Sequence, residues 1–319
     1  MNSSLVVLGR GRGLGSVLRT LREFDNPLTV IVATAECADD GESTDSAGEP
    51  ALSELRQSIE ALTDDRAALA RALRRPLTLD RLGSHPLGNL MLGSLAAAFG
   101  DLGVASIWLG DQLGIGGAVV PATVDPLSYV IEPERRGSRG TESAEGSELR
   151  RLRLIPERPQ TSLTALDAIA EADLIVLAPG ALFAGVLAVS AIPAIRQAVR
   201  AASARVVWIG NLQSEAGDSL HDQLEALHRH QVRVDAVLFD PETDPAVAPD
   251  RLVAQGVEAI PRKLGVPATG EYSYELLGAA LTELLAAPPA TPGRPDGSQP
   301  TSTANGSRPT STSDGSRPS

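Results

Sequence analysis

Residues Leu5 to Leu18 read LVVLGRGRGLGSVL. Four apolar residues are followed by glycine at every second position, Gly9, Gly11, Gly13 and Gly15, and then by a segment of helical character. A short, wholly apolar strand that turns through glycines into a helix is the opening unit of a parallel α/β sheet, whose buried strands show apolar runs rather than alternation. Glycines at such a turn let backbone N–H groups approach an anion at the helix N-terminus. The dinucleotide pattern G-x-G-x-x-G fits in no register, because Leu14 and Ser16 stand where glycine is required. A triphosphate loop is excluded too, since the only lysine is the distant Lys263. Arg10 and Arg12 stand among the glycines instead. A guanidinium there can pair bidentately with a diphosphate, or its bulk can fill the space a phosphate needs.

Strand-like and helix-like segments alternate along the rest of the chain. Strands are expected at Leu5–Leu8, Thr29–Thr34, Asp173–Ala178, Arg205–Ile209 and Val234–Phe239. Helices are expected at Ser16–Phe24, Ser53–Leu73, Leu182–Ala202, Leu220–His230 and Ser273–Ala286, with an apolar helix after His85. This pattern predicts a Rossmann-like, doubly wound, mostly parallel sheet in three αβα layers, forming one domain over residues 1–287. Within it Glu132–Glu148 reads as a long polar loop. From Pro288 to Ser319 the composition turns to Pro, Gly, Ser and Thr, with similar phrases headed by Gly297, Gly306 and Gly315. Such a tail buries too little surface to offset the entropy of ordering and is expected to be disordered. Leu174–Ile195 is uncharged for membrane-spanning length, but Pro179-Gly180 divides it into a strand and a helix of the kind found in a buried α/β core. No membrane span is expected.

The 319 residues, 42% of them hydrophobic, suffice for a proper core. A formal charge of −12 argues against a nucleic-acid partner, whose phosphates need Lys and Arg. The single cysteine, Cys37, forms no internal disulfide, and the N-terminus lacks the pattern of a secretion signal. A cytoplasmic protein is the expectation.

Ligands of doubly wound sheets sit beyond the carboxyl ends of the strands, so the residues after each strand are the candidates. They are the four loop glycines, then Asp39, Asp40 and Gly41, then Pro179 and Gly180, then Asn211. Asp39 and Asp40 can hold Mg²⁺ beside a phosphate, or form an acidic surface turn. His85, Gly88 and Asn89 lead into an apolar helix, near an N-terminus where anions are welcome. His221, His228 and His230 form no metal-ligand spacing. Asn211 can read a base or sugar edge, or cap a turn.

Together these segments resemble the YvcK-type proteins, known as gluconeogenesis factors or UDP-N-acetylglucosamine-binding proteins and related to the phospholactate transferase CofD. Gly9-Arg10-Gly11-Arg12-Gly13-Leu14 stands at the family's GGGTGL loop. Ala38-Asp39-Asp40-Gly41-Glu42-Ser43-Thr44 stands at ADDGGSSG, and Leu52-Ser53-Glu54-Leu55-Arg56 retains the acid and the Leu-Arg of PPGDLR. His85-Pro86-Leu87-Gly88-Asn89-Leu90 keeps the H-x-x-GNL motif, Ala172 to Gly185 follows ADxxVLGPGSLYTS, and Asn211 to Leu227 follows NLxxQPGET…DHLEAL. The departures fall on the ligand side: Arg10 and Arg12 in the loop, Glu42 for a glycine, the lost PPGD turn, and Ala181 and Ala184 for serine and threonine.

The resemblance implies a Rossmann-like fold and a nucleotide-sugar ligand, UDP-N-acetylglucosamine or similar. It places Gly9, Gly11, Arg12, Gly13 and Leu14 at the diphosphate. Asp39, Asp40, Gly41 and Ser43 stand beside it, with Mg²⁺ as a further ligand of the two aspartates. His85, Gly88 and Asn89 line the pocket, and Pro179, Gly180 and Asn211 stand at the nucleoside end. The implied role is regulatory and non-catalytic, joining carbon metabolism to cell-wall precursor supply and cell shape through a protein partner. Two alternatives stay open: a Mg²⁺-dependent transferase of the CofD kind, and a divergent scaffold that has lost its ligand. Self-association is left open.

Overall fold

β1 (Leu5–Gly9) is buried along its whole length, sending Leu5 and Val7 to one face of a sheet and Val6 and Leu8 to the other. A strand covered on both faces has no polar side to show, which is why its sequence is a plain apolar run. In a computed structural model of the chain, residues 3–38, 49–64, 66–79, 83–133, 150–212, 219–243, 247–266 and 271–286 are described. The remaining strands of the central sheet are β2 (Leu28–Val32), β3 (Gly117–Pro121), β4 (Leu174–Leu177), β5 (Arg205–Ile209), β6 (Ala236–Phe239) and β7 (Glu258–Pro261). Their order is β7-β6-β5-β4-β1-β2-β3, and every neighbouring pair is parallel. Leu5 stands in register with Leu28 on one side and Leu174 on the other.

Helices cover both faces. α1 (Gly11–Leu21), α2 (Glu49–Leu62), α3 (Ala68–Leu73), α4 (Leu87–Phe99) and α5 (Leu102–Leu113) pack on the face that receives Leu5 and Val7. On the other face are α6 (Leu163–Glu171), α7 (Ala188–Ser190), α8 (Pro193–Ala201), α9 (Leu220–Arg229) and α10 (Pro249–Ala254), and α11 (Tyr274–Ala286) returns to the first. Strands that send alternate side chains into two apolar layers, and helices that cover both layers, thus make one three-layer αβα unit.

Several element boundaries differ from the sequence reading. The first helix begins at Gly11 rather than Ser16, so three of the four glycines lie in its first turns. The expected helix Ser53–Leu73 is two helices, because Asp64 accepts the Arg66 N–H at 3.0 Å and closes a local turn between them. The expected helix Leu182–Ala202 starts as a π-helical segment, Leu182–Leu187, and breaks at Ile192. Pro193 forces that break: the residue before proline is pushed out of the helical region, and Ile192 lies at φ −58°, ψ 122°. The two halves, Leu182–Ser190 and Pro193–Ala201, meet at 71° and pack into the core. Among the described residues no single helix is long and apolar enough to cross a membrane. Glu132 and Pro133, expected in the polar loop, end a strand, Ser128–Pro133, that pairs antiparallel with Arg150–Ile155. Residues 134–149 and the tail from 287 onward lie outside the described residues.

The outer hairpin is fastened to α9 by His230. Its Nε2 accepts the Leu152 N–H at 3.0 Å, and its Nδ1–H donates to the Ala226 carbonyl at 2.7 Å. The first bond needs the neutral ring, because a protonated Nε2 has no lone pair left to accept with; the second survives protonation. Burial, reinforced by Arg229, Arg151 and Arg196, holds the His230 pKa below the usual 6.5 against the opposing pull of the Ala226 carbonyl. Above pH 6.5 both folded and unfolded chains carry the neutral ring. As pH falls below 6.5 the unfolded chain takes up the proton first, so stability is lost until the folded pKa is passed. Urea midpoints between pH 7.5 and 5 should therefore decline, and His230→Gln should flatten part of that decline, to which His228, also held below its usual value by burial, contributes as well. An unchanged slope in the variant refutes this assignment.

Candidate functional site

The chain leaves β1 towards β2 on one side and returns at β4 on the other, so the crevice of the sheet opens beyond the ends of β1 and β4. Two glycine-bearing turns meet there. After β1, Arg10 is extended and Gly11 takes φ +74°, a left-handed value that glycine adopts without strain. After β4, the chain passes through Pro179 to Gly180 at φ +131°.

The two turns are in close contact. A Cβ on Gly13 would stand 2.0 Å from the Pro179 carbonyl oxygen, and one on Gly9 would stand 2.8 Å from the Ala178 Cβ. Gly9 and Gly13 are therefore glycines because β1 and α1 touch the β4 turn. The Gly180 turn is held from the next strand end by Asn211, whose Oδ1 accepts the Gly180 N–H at 2.6 Å while its Nδ2 donates to the Gly180 oxygen at 3.0 Å. Asn211 thus acts on the backbone of the turn, as a bridging amide.

A cleft of about 810 Å³ lies over this junction. One wall is the face of α1 carrying Gly11, Arg12, Gly15, Ser16 and Arg19, and the opposite wall is the face of α2 carrying Glu54, Gln57 and Ser58. Pro179, Gly180 and Asn211 close one end, and Tyr272 with Tyr274 forms a third side. The Tyr272 hydroxyl donates to the Gly210 oxygen at 2.7 Å, and burial keeps this phenol protonated far above its ordinary range.

The two loop arginines have separate roles. Arg10 turns from the cleft: its Nε donates to Glu54 Oε1 at 3.3 Å and its guanidinium also reaches the Ala35 carbonyl beyond β2. Arg12 is exposed in the cleft wall and makes no side-chain hydrogen bond or ion pair among the described residues. Glu54 also receives the Gly11 N–H at 2.9 Å, so a carboxylate of the chain itself satisfies the helix tip, where the macrodipole favours negative charge.

The remaining sequence candidates are placed differently. Leu14 is buried with Val17 and Leu18 in the core, leaving only its backbone near the turn. Asn89 is also buried: its Oδ1 accepts from Arg56 Nε at 2.8 Å, and its Nδ2 donates to Ser53 Oγ at 2.8 Å. Arg56 in turn pairs with Glu60 at 2.7 Å, and a Cβ on Gly88 would strike the Arg56 Cδ at 2.6 Å. The GN pair of H-x-x-GNL thus docks α4 onto an arginine of α2. His85 stands opposite Leu77 in the small hairpin Pro76–Leu79 with Gly83–Pro86, and is not among the described lining residues of the cleft. Asp39, Asp40, Gly41 and Ser43 lie outside the described residues, as does the metal reading placed on the two aspartates. Among the described residues no group of three or more His, Cys, Asp or Glu side chains forms a metal site.

Sequence reasoning did not single out Arg19, Gln57, Ser58, Tyr272 or Tyr274. The first three carried a readable signal: positions 12, 15, 16 and 19 of α1, like 54, 57 and 58 of α2, fall on one helical stripe of small and polar residues.

The family model described as 2-phospho-L-lactate transferase CofD matches residues 5–263. The gluconeogenesis factor of Bacillus subtilis is 29% identical over 256 residues, covering 76% of this chain and 80% of that one. Relatives sharing that designation in Mycobacterium tuberculosis and Deinococcus radiodurans are 31% and 32% identical. The match covers 77% of this chain and 78% of the mycobacterial protein, and 76% of this chain but only 55% of the Deinococcus protein. A crystal structure of a Bacillus halodurans protein superposes with a TM-score of 0.72 at 23% identity, covering 90% of this chain and all of that one, and shares its fold. The sequence motifs, the strand order and these matches agree: the chain belongs to the CofD family and stands with its gluconeogenesis-factor members.

Proposed function

We propose that the cleft binds a nucleotide sugar of the UDP-N-acetylglucosamine class, and that the protein serves in the cytoplasm as a non-catalytic regulator. In this reading the bound state is sensed by a protein partner that links carbon metabolism to cell-wall precursor supply and cell shape. The observation that carries it is Arg12, a guanidinium with no hydrogen bond or ion pair among the described residues, in the wall of an open cleft at the switch point of the sheet. The cleft volume of about 810 Å³ suits a ligand of that size. The name of the Bacillus subtilis relative supports the metabolic side of the proposal.

Calorimetry with UDP-N-acetylglucosamine tests it. The purified chain should give saturable heat at one ligand per chain, and Arg12→Thr should weaken binding about 10- to 100-fold, the range for a hydrogen bond to a charged group. No heat at millimolar ligand overturns the proposal, and tighter binding by the variant would show that Arg12 fills the phosphate space. The description of the family model favours a second reading, a transferase of the phospholactate kind. Product formation with a deazaflavin acceptor would establish that one instead.

A further inference from the structure

The wall of the cleft formed by α1 follows from its helical period. Arg12, Gly15, Ser16 and Arg19 are spaced i, i+3, i+4 and i+7, so all four lie on one stripe, and all four line the cleft. Arg19 does not extend away along the helix. A Cβ built on Gly15 would lie 3.6 Å from one terminal nitrogen of Arg19 and 4.0 Å from its Cζ and other terminal nitrogen. The guanidinium is therefore folded over Gly15, one turn nearer the helix start than its own Cα, as long helical side chains tend to point. Arg19 is exposed and, like Arg12, makes no side-chain hydrogen bond or ion pair among the described residues.

Glu54, Glu60 and Glu271 are the described carboxylates that line the cleft, and neither Arg12 nor Arg19 pairs with any of them. Glu54 faces Arg10 and the Gly11 N–H, and Glu60 faces Arg56 and Arg74. The helix tip therefore already carries a negative group, and an anion approaching end-on would meet it. Among the described residues, the cleft-lining arginines without a carboxylate partner are Arg12 and Arg19, on the flank.

Resting on the nucleotide-sugar reading, we infer that the diphosphate lies along the flank of α1, one phosphoryl group against Arg12 and the other against Arg19, over the bare surface of Gly15. Arg19 is then a ligand-contacting residue that selects diphosphates over single phosphates, because the second phosphoryl group is the one it meets. Planar guanidinium forks suit this task, since each can hold two phosphoryl oxygens.

The test titrates inorganic phosphate, inorganic pyrophosphate and UDP-N-acetylglucosamine into the wild-type chain, Arg19→Gln and Arg19→Lys. Arg19→Gln should weaken pyrophosphate and UDP-N-acetylglucosamine about 10- to 100-fold and change phosphate by less than about threefold, with Arg19→Lys between. UDP-N-acetylglucosamine binding that is equal in wild type and Arg19→Gln overturns this inference and leaves the nucleotide-sugar reading standing. Arg19-dependent pyrophosphate binding without UDP-N-acetylglucosamine binding supports the inference and removes that reading. Absence of binding by all three probes overturns both. Arg19 is exposed, so the variants keep the fold, which their melting temperatures check.

Discussion

Replacing Gly13 by alanine is expected to destabilise the chain by about 3 kcal/mol, read as a shift of the urea midpoint at unchanged slope. Helix propensity alone predicts the opposite sign, because alanine gains about 1 kcal/mol over glycine inside a helix. Space decides against it. The new methyl would lie 2.0 Å from the Pro179 oxygen and 2.6 Å from its carbonyl carbon, and both atoms are backbone. No side chain can swing aside there, so α1 must lift from the β4 turn. Gly15→Ala is the matched control. Its methyl would meet only the Arg19 guanidinium at an ordinary 3.6 Å, so the propensity gain should survive and the variant should be more stable by about 0.5–1 kcal/mol. Equal responses at the two positions would show that the Gly13–Pro179 contact does not fix the crevice.

That pair of glycines also shows what the sequence could and could not disclose. GRGRGLG reads as a tight turn between a strand and a helix from Ser16, yet the helix already starts at Gly11. Only Gly11 holds a left-handed φ; Gly13 is a glycine because a segment 166 residues away lies against it. Proximity of that kind has no local signature. Five of the seven central strands are readable for the opposite reason, since their burial is written in their own residues, and Arg205–Ile209 matches the expected strand to the residue; the two edge strands, Gly117–Pro121 and Glu258–Pro261, are not among the expected ones and are only partly buried. The antiparallel strand Arg150–Ile155 was readable too, with Leu152 and Leu154 buried and Arg151 and Arg153 exposed in strict alternation. The long polar stretch before it masks that alternation. In the candidate cleft, Gly180 and Asn211 are legible from their places after strands and Arg12 from the loop that the family resemblance puts at the diphosphate, while the roles of Arg10 and Asn89 depend on partners 44 and 33 residues distant.

Asn211→Ala is expected to cost about 3 kcal/mol and to abolish nucleotide-sugar binding. Its amide makes two hydrogen bonds to one residue, accepting from the Gly180 N–H at 2.6 Å and donating to the Gly180 oxygen at 3.0 Å. Each bond contributes about 1 kcal/mol net, and a polar group left without a partner costs a further 1–3 kcal/mol. Gly180 sits at φ +131°, in a region open to glycine, so the residue's own preference does not select the conformation that this amide holds. Without it, Pro179 loses its fixed place against Gly13 and the end wall of the cleft shifts. Asn211→Asp separates hydrogen bonding from bulk. One aspartate oxygen still accepts the Gly180 N–H, but the other faces the Gly180 carbonyl oxygen and repels it. The aspartate chain should therefore be no more stable than the alanine chain, despite matching asparagine in size. A urea midpoint for Asn211→Asp close to that of the wild type would mean that the amide nitrogen contributes nothing, and that the β4 turn holds its shape by packing alone.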